Sequence, residues 1–356
     1  MRSVGWRTLL GAALALVTVM ATGARADERG WDYLVEKLCR DGVPRDRVLR
    51  VFRDDRIDAF DGLYFSLNPR ESHSLYRPLR TSRTAYKAQS CLDAHREAFE
   101  AAQKTYGVPA SVVASIIQVE SGCGANTGRS RILPALARLS MAAEPGNLER
   151  NVDRLTLFDT GRSPADVASY AQWRATHLED MFYPEVKAVF DLSEQMRVDP
   201  LELRGSGSGA LGIPQFLPRS YLWYGVDGNH DGSISLYDPD DAIPSCAKYL
   251  QHYGWKPGLS RTEKHNVVWG YNHSDAYIDT VLWLSDEVES PSPEPAPEPV
   301  QVAKKSRSRG RSSRGKVVHA KSTSRTKTAS RAKRTKASSH ATKSSSKKKT
   351  TTQAHR

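Results

Sequence analysis

Two stretches of the chain combine residue types and spacing that can do chemistry. In Pro109-Ala-Ser-Val-Val-Ala-Ser-Ile-Ile-Gln-Val-Glu120-Ser-Gly122, Val113, Ile116 and Ile117 stand at i, i+3 and i+4, and Glu120 takes i+7. One face of a helix therefore carries three apolar side chains and then a carboxylate. Burial and the negative end of the helix dipole both disfavour the ionised form, so the Glu120 pKa is expected to rise. A carboxyl that keeps its proton near neutral pH suits general acid catalysis. Gly122 and Gly124 let the chain leave sharply and keep the approach open. The alternative is an ordinary glutamate at a frayed helix end, facing solvent.

The second stretch is Asp227-Gly-Asn229-His-Asp231-Gly232-Ser233-Ile234-Ser-Leu-Tyr-Asp238. Oxygen-bearing side chains occupy positions 1, 3 and 5, glycine position 6, an aliphatic residue position 8 and a carboxylate position 12. That is the twelve-residue EF-hand pattern, in which side chains at 1, 3, 5 and 12 and the carbonyl at 7, here Ser233, surround a calcium ion. Asp238 in place of glutamate at position 12 reaches less easily with both oxygens, which weakens affinity or favours a smaller ion. With no second copy of the loop, a structural calcium is expected rather than a sensor. A polar turn without metal is the alternative. No organic cofactor is expected.

The elements that must position these groups read as mainly helical. Leu34, Val35, Leu38, Val43, Val48 and Val51 suggest two short helices, the second opened by Pro44. Residues 60 to 84 lack a helical period and look irregular or extended. A longer helix is expected from about Ser90 to Tyr106, ended by Gly107, with the Glu120 helix starting after Pro109. Ser163-Pro164 and Asp199-Pro200 each place a capping side chain before a proline and mark two further helix starts. Strand signals are sparse.

Residues 1 to 26 carry Arg2 and Arg7, an apolar run from Leu9 to Met20, and Ala24-Arg25-Ala26. This is the layout of a secretory signal, with cleavage expected after Ala26 and a periplasmic or envelope destination. An uncleaved anchor is the alternative, disfavoured by an apolar run shorter than the roughly 20 residues of a span. In an oxidising compartment Cys39, Cys91, Cys123 and Cys246 allow two disulfides in three connectivities, or buried free thiols. Residues 289 to 300 alternate proline with small or acidic residues and are expected to form an extended linker. Residues 301 to 356 hold 19 of the 52 basic residues, no acid and no aromatic. This tail is expected to be disordered, either an electrostatic ligand of anionic envelope polymers or lipid head groups, or a solvated extension. Without leader and tail, residues 27 to 288 carry 30 basic against 37 acidic residues, which excludes a basic nucleic-acid-binding fold. No specific nucleic-acid partner is expected.

Around Glu120 the sequence reads Tyr-Gly-Val-Pro, Ile-Ile-Gln-Val-Glu-Ser-Gly-Cys-Gly, Thr127-Gly128 and Leu-Pro-Ala-Leu-Ala-Arg-Leu-Ser140. Further on stand Gly205-Ser206-Gly-Ser-Gly209-Ala-Leu-Gly-Ile-Pro-Gln215-Phe216-Leu-Pro-Arg-Ser220-Tyr221 and Tyr271-Asn272-His-Ser-Asp-Ala-Tyr277. In this order these blocks resemble the lytic murein transglycosylase B family over roughly residues 88 to 288, leaving an N-terminal helical segment, 27 to 87, and the tail uncovered. The resemblance implies a mainly α (α+β) fold with a lysozyme-like catalytic core and a small extended portion. It implies cleavage of the β-1,4 bond between N-acetylmuramic acid and N-acetylglucosamine in peptidoglycan glycan strands, leaving a 1,6-anhydro end. Glu120 would be the catalytic acid and base. Ser206 would contact the acetamido group, Gln215, Phe216 and Tyr221 would line the groove, and Tyr271 and Asn272 would lie close to Glu120; the alternatives are core positions for Phe216 and Tyr221 and a flexible turn for the Gly-Ser stretch. Cys123 departs from the bulky aromatic that relatives often carry there. Two other readings use the same cleft: a catalytically idle peptidoglycan-binding scaffold, and a lysozyme-type hydrolase with water as nucleophile.

Overall fold

Two short helices, α1 (Asp32–Arg40) and α2 (Arg45–Phe52), open the described part of the chain, with Pro44 as the N-cap of the second. The computed structural model describes residues 29–67, 73–159 and 161–290; the leader, the linker from residue 291 and the basic tail lie outside them. An irregular stretch and two 3₁₀ turns (His73–Leu75, Arg77–Leu79) lead to α3 (Ser82–Ala94), α4 (Arg96–Tyr106) and α5 (Ala110–Ser121). After β1 (Ser130–Arg131) come α6 (Ile132–Ser140), α7 (Pro145–Phe158) and the 32-residue α8 (Pro164–Gln195). Then follow β2 (Arg204–Gly205), α9 (Pro218–Tyr224), α10 (Pro239–His252), α11 (Arg261–Tyr271) and α12 (Asp275–Glu289). Among the described residues the only sheet is the antiparallel pair β1–β2, with Ser130 opposite Gly205.

The single helix expected over 90 to 106 is two. Thr81 caps α3 by accepting the Thr84 N–H at 3.2 Å, and the chain breaks at His95 (φ −124°, ψ 34°) before α4 begins. The break turns both Cys91 and Phe99 into the same core, which gives it a packing reason that no glycine or proline announces. Asp199-Pro200 starts only a 3₁₀ turn, Pro200–Glu202, because the chain then enters β2. The Ser163 cap holds, its hydroxyl accepting the Asp166 N–H at 3.2 Å.

Apolar side chains segregate into two main clusters. The first joins α1 and α2 (Leu34, Leu38, Val48, Phe52) to α6 and the second half of α8 (Leu133, Leu136, Val186, Phe190). The second surrounds α5: Val112, Val113, Ile116 and Ile117 meet Phe99 of α4, Ile243 and Leu250 of α10, and Tyr277, Ile278 and Val281 of α12. Tyr271, at the end of α11, packs against both clusters. Burying a large apolar side chain is worth about 1.5–3 kcal/mol, so α5, with every residue from Ser111 to Gln118 buried, is fixed by its surroundings more than by its own propensity.

The segment after β2 is held by backbone contacts. Gly128 passes so close to Gly205 that a Cβ on it would collide with the Gly205 carbonyl, and a Cβ on Gly212 would strike the Leu236 backbone. Gly212 also has φ +69°, the left-handed region that side chains resist. Its neighbours close a turn: Leu211 and Phe216 exchange N–H···O bonds at 2.7 and 3.0 Å, and Ile213 donates to the Leu236 carbonyl at 2.7 Å. Gly212→Ala is expected to destabilise the protein by roughly 2 kcal/mol or more. Gly207→Ala, with nothing within 4 Å of the added carbon, should shift stability by less than about 0.5 kcal/mol. Urea unfolding of the two variants checks the contrast; equal midpoints would show that the turn yields.

Candidate active site

Glu120 lies in the last turn of the buried helix, half-buried at the point where α5 leaves the second core. Gly122, Cys123 and Gly124 follow with φ of 62°, 59° and 80°, three left-handed residues in succession. The Gly122 and Cys123 N–H groups close on the carbonyls of Gln118 and Ile117, and Ser121 Oγ accepts the Gly124 N–H at 2.9 Å. A cysteine in this conformation costs of order 1 kcal/mol or more and persists only where its surroundings impose it. Here the tether is covalent: Cys123 is disulfide-bonded to Cys91 of α3, with Cα atoms 6.1 Å apart. The cysteine at the position of the expected aromatic thus serves as an anchor for the turn after Glu120. Only one disulfide forms among the four cysteines. Cys39 packs on the first cluster and Cys246 lies inside the second, so these two thiols belong to different cores and stay free.

Tyr277 supplies what the sequence reading missed. Its hydroxyl donates to Glu120 Oε1 at 2.7 Å from the first turn of α12, where Ser274 caps the helix by accepting the Tyr277 N–H. The Tyr-Asn-x-Ser-x-x-Tyr block contained the signal, a capping serine three residues before a tyrosine, although the partner stands 157 residues earlier in the chain. Among the described residues, Oε2 of Glu120 has no hydrogen-bond partner. Burial pushes the carboxyl up from its ordinary 4.5 to about 7, and the Tyr277 hydrogen bond holds it below the level burial alone would set. No second carboxylate contributes. Burial likewise raises the hydroxyls of Tyr277 and Tyr271 and the Cys246 thiol, so the surroundings of Glu120 are neutral at physiological pH.

The other expected site residues divide. Gln215 sits at φ 51° with its amide donating to the carbonyls of Gly212 (2.7 Å) and Thr127 (3.2 Å), tying the turn to the strand approach after Glu120. Ile213 approaches the same turn, since a Cβ on Gly124 would stand 3.2 Å from its side chain. Tyr271 stacks on Tyr277 (centroids 6.4 Å, 7° between planes) and donates to the Pro214 carbonyl, and Asn272 caps α11 beside it. Ser206 is half-buried with its hydroxyl accepting the Ala210 (3.0 Å) and Ser208 (3.3 Å) N–H groups. Phe216 and Tyr221, in contrast, are core residues and do not line a groove. Phe216 is 2% exposed, turned inward by the bridge to Leu211 and packed against Tyr249 and Tyr271. Tyr221 is 3% exposed on the inner face of α9 and donates to the Ile234 carbonyl, bracing the 227–238 loop.

That loop is ordered from within. Asp227 accepts the Asp231 (3.1 Å) and Gly232 (2.9 Å) N–H groups, Asn229 accepts from Asp231 (3.0 Å), and Asp231 accepts from both the N–H and the hydroxyl of Ser233. Buried Asp241 takes the Gly228 and Ser235 N–H groups at 2.8 and 2.7 Å, pinning both arms, and Asp238 caps α10. Among the described residues no three His, Cys, Asp or Glu side chains are drawn together as a finished metal site. The Asn229 amide nitrogen instead stands 3.3 Å from Asp231 Oδ2 and 3.5 Å from Asp238 Oδ2. A weak positive dipole thus sits where two carboxylates converge, and the donor set of Asp227, Asn229, Asp231 and Asp238 fits a hard cation in its place.

Because Glu120 titrates near 7 when folded and near 4.5 when unfolded, the folded state keeps a proton through that window that the unfolded state has lost. Stability therefore falls as pH rises from about 4.5 to 7, with the full penalty present above 7. Glu120→Gln is expected to match the parent at pH 4 and to be the more stable of the two at pH 8, read by urea unfolding. Tyr277→Phe is expected to move the Glu120 midpoint upward in a carboxyl NMR titration. Parallel denaturation curves for Glu120→Gln and the parent across this window would show that burial does not control the group.

Residues 27–263, two-thirds of the chain, match the transglycosylase SLT domain family. Membrane-bound lytic murein transglycosylase B of Escherichia coli (strain K12) is 34% identical over 164 residues, 46% of this chain, which spans 37% of that protein's length. Soluble lytic transglycosylase SltB1 from Pseudomonas aeruginosa superimposes with a TM-score of 0.52 at 25% identity, covering 72% of this chain and 97% of its own. The Escherichia coli lytic transglycosylase Slt35 in complex with calcium gives 0.52 at 23% identity over 73% and 92% of the two chains. The match covers more than half of the sequence: the chain belongs to the transglycosylase SLT domain family.

Proposed function

We propose that the protein is a lytic transglycosylase that cleaves the β-1,4 bond between N-acetylmuramic acid and N-acetylglucosamine in peptidoglycan and leaves a 1,6-anhydro end. The observation that carries this reading is a lone Glu120 carboxyl, held near 7 and partnered on one oxygen only. Most glycosidases flank the scissile bond with two carboxylates. A single one suffices where the substrate provides the rest. Glu120, protonated on its free oxygen, gives its proton to the glycosidic oxygen as the bond from that oxygen to C1 of the muramyl residue breaks. The muramyl 2-acetamido group stabilises the cationic C1. The C6 hydroxyl then attacks C1, its proton passes to the Glu120 carboxylate, and the acid is restored with no water consumed. Tyr277 holds the carboxyl in place throughout, and Gln215, Ser206, Tyr271 and Asn272 border the substrate.

The leader and the family point to an exported, cell-envelope enzyme, with the basic tail reaching anionic polymers or head groups there. No described helix is long and apolar enough to cross a membrane. The 227–238 loop holds a structural calcium through Asp227, Asn229, Asp231, the Ser233 carbonyl and Asp238; its donor set and the calcium complex of one solved protein of this fold support that reading. The ion supplies fixed charge that locks the loop onto α9 and α10.

Incubation of the full chain with purified peptidoglycan, followed by mass analysis of released fragments, tests the reaction. Fragments one water lighter than hydrolysis products, lost in Glu120→Gln, are the expected outcome. Full-mass reducing ends would make the protein a hydrolase, and binding without release would make it a scaffold. For the ion, millimolar calcium is expected to raise the melting temperature by several degrees, about 1–3 kcal/mol of linkage, and Asp231→Ala to abolish the rise. An unchanged melting temperature and no heat on calorimetric titration would remove calcium from the loop.

A further inference from the structure

The outer face of α9 and the end of α10 carry an aromatic surface that the chemistry at Glu120 does not use. Helix α9 turns Tyr221 and Tyr224 inward, which sends Trp223 out, 54% exposed. One turn earlier, the Arg219 guanidinium lies over the indole, 4.3 Å from its centroid, and Tyr224 meets the same ring edge-on at 6.2 Å. Trp223 and Tyr224 line, with Lys248, Gln251 and His252 of α10, an open cavity of about 440 Å³. The Gln251 amide and the His252 ring nitrogens have no hydrogen-bond partner among the described residues. Lys248 reaches only the Gly225 carbonyl, at 3.5 Å.

These groups make a recognisable chemical combination. A pyranose presents a face of C–H groups that fits a partly exposed aromatic ring such as Trp223. The amide and imidazole can serve the hydroxyl and acetamido groups at the ring edge. Lys248 adds positive charge that favours a carboxylate on the ligand. A polyphosphate is the weaker match, because the Arg219 guanidinium already covers the indole and stands 3.9 Å from Glu185 Oε1. We infer that this cavity is a second contact site for an N-acetylated amino-sugar strand bearing carboxylates, distinct from the cleft at Glu120. The choice of polymer rests on the proposed reaction; the chemistry of the cavity does not.

The two sites share a rigid floor. Tyr224 packs on Tyr249 (4.8 Å), Tyr249 on Tyr271 (4.9 Å) and Tyr271 on Tyr277, which donates to Glu120. A strand held at Trp223 is thereby kept at a fixed distance from the carboxyl, which raises its local concentration at the site. The gain exists only for a strand long enough to touch both. Trp223→Ala and the Gln251→Ala/His252→Ala double variant are therefore expected to raise the KM for insoluble peptidoglycan by about tenfold with kcat unchanged. Turnover of a short soluble tetrasaccharide should be unaffected, and the surface position of Trp223 predicts an unchanged melting temperature. In the full-length Glu120→Gln chain, the Trp223 indole NMR signal should shift on addition of N-acetylmuramyl dipeptide and move less with the neutral N-acetylglucosamine tetramer. An unchanged KM together with a stationary indole signal would overturn the site, even in a protein that cleaves the polymer as proposed. Equal response to the neutral and acidic sugars would overturn the carboxylate preference. If the parent releases no fragments yet Glu120→Gln sediments with peptidoglycan in a Trp223-dependent way, the reaction fails while the second site stands.

Discussion

An ionisable carboxyl carried on a helix that is buried from Ser111 to Gln118 is the constraint around which the second half of the molecule is arranged. Helix α5 has no exposed face between Ser111 and Gln118, so α3, α4, α10 and α12 must enclose it. Glu120 comes two residues after this shielded stretch and is half-buried. The left-handed run at Gly122–Gly124 sets the exit, and the Cys91–Cys123 disulfide fixes the exit against α3. Tyr277 completes the enclosure from the far end of the chain. Its hydroxyl is a neutral donor, so it orients the carboxyl with far less pull on the proton than a cation would exert.

How much of this could be read in the sequence depended on whether a feature closes within one element or across several. The twelve-residue loop was legible because its donors follow one another along the chain, and the Glu120 stripe because it is a helical period. Pro44, Gly107 and Ser163 marked their helix ends for local reasons that the structure reproduces. Phe216 and Tyr221 were misplaced because a glycine-rich segment has no period from which an inner face can be read; which side faces the core is decided by the Leu211–Phe216 bridge and the Leu236 backbone. The His95 break left no local mark, and of the Tyr277–Glu120 bond only the capped end at Ser274 was legible, not the partner. Both answer to tertiary packing, in which neighbours far apart in sequence decide.

The two hydrophobic clusters have different tasks. The first, built on α1, α2, α6 and α8, presents β1 and the segment following β2 to the Glu120 turn; the second holds the acid itself. Tyr271 belongs to both and bonds to the Pro214 carbonyl, so the two halves meet at one aromatic residue beside the candidate active site. Relative displacement of the halves would be felt there first.

The segment after β2, tied by Gln215 to the stretch that follows the Glu120 turn, forms a wall made from main chain more than from side chains. Where Gly128 passes Gly205 and Gly212 passes Leu236, there is no room for even a methyl group. A wall of this kind cannot be retuned gradually. Side-chain variation, the usual route by which a binding surface drifts toward a new ligand, is closed at these positions, because the first atom added already displaces backbone. On the proposed function, changes in what the protein accepts would come from side chains such as Ser206, Gln215 and Asn272, or from the proposed site around Trp223. Engineering of specificity should leave the glycines alone and work outward from them.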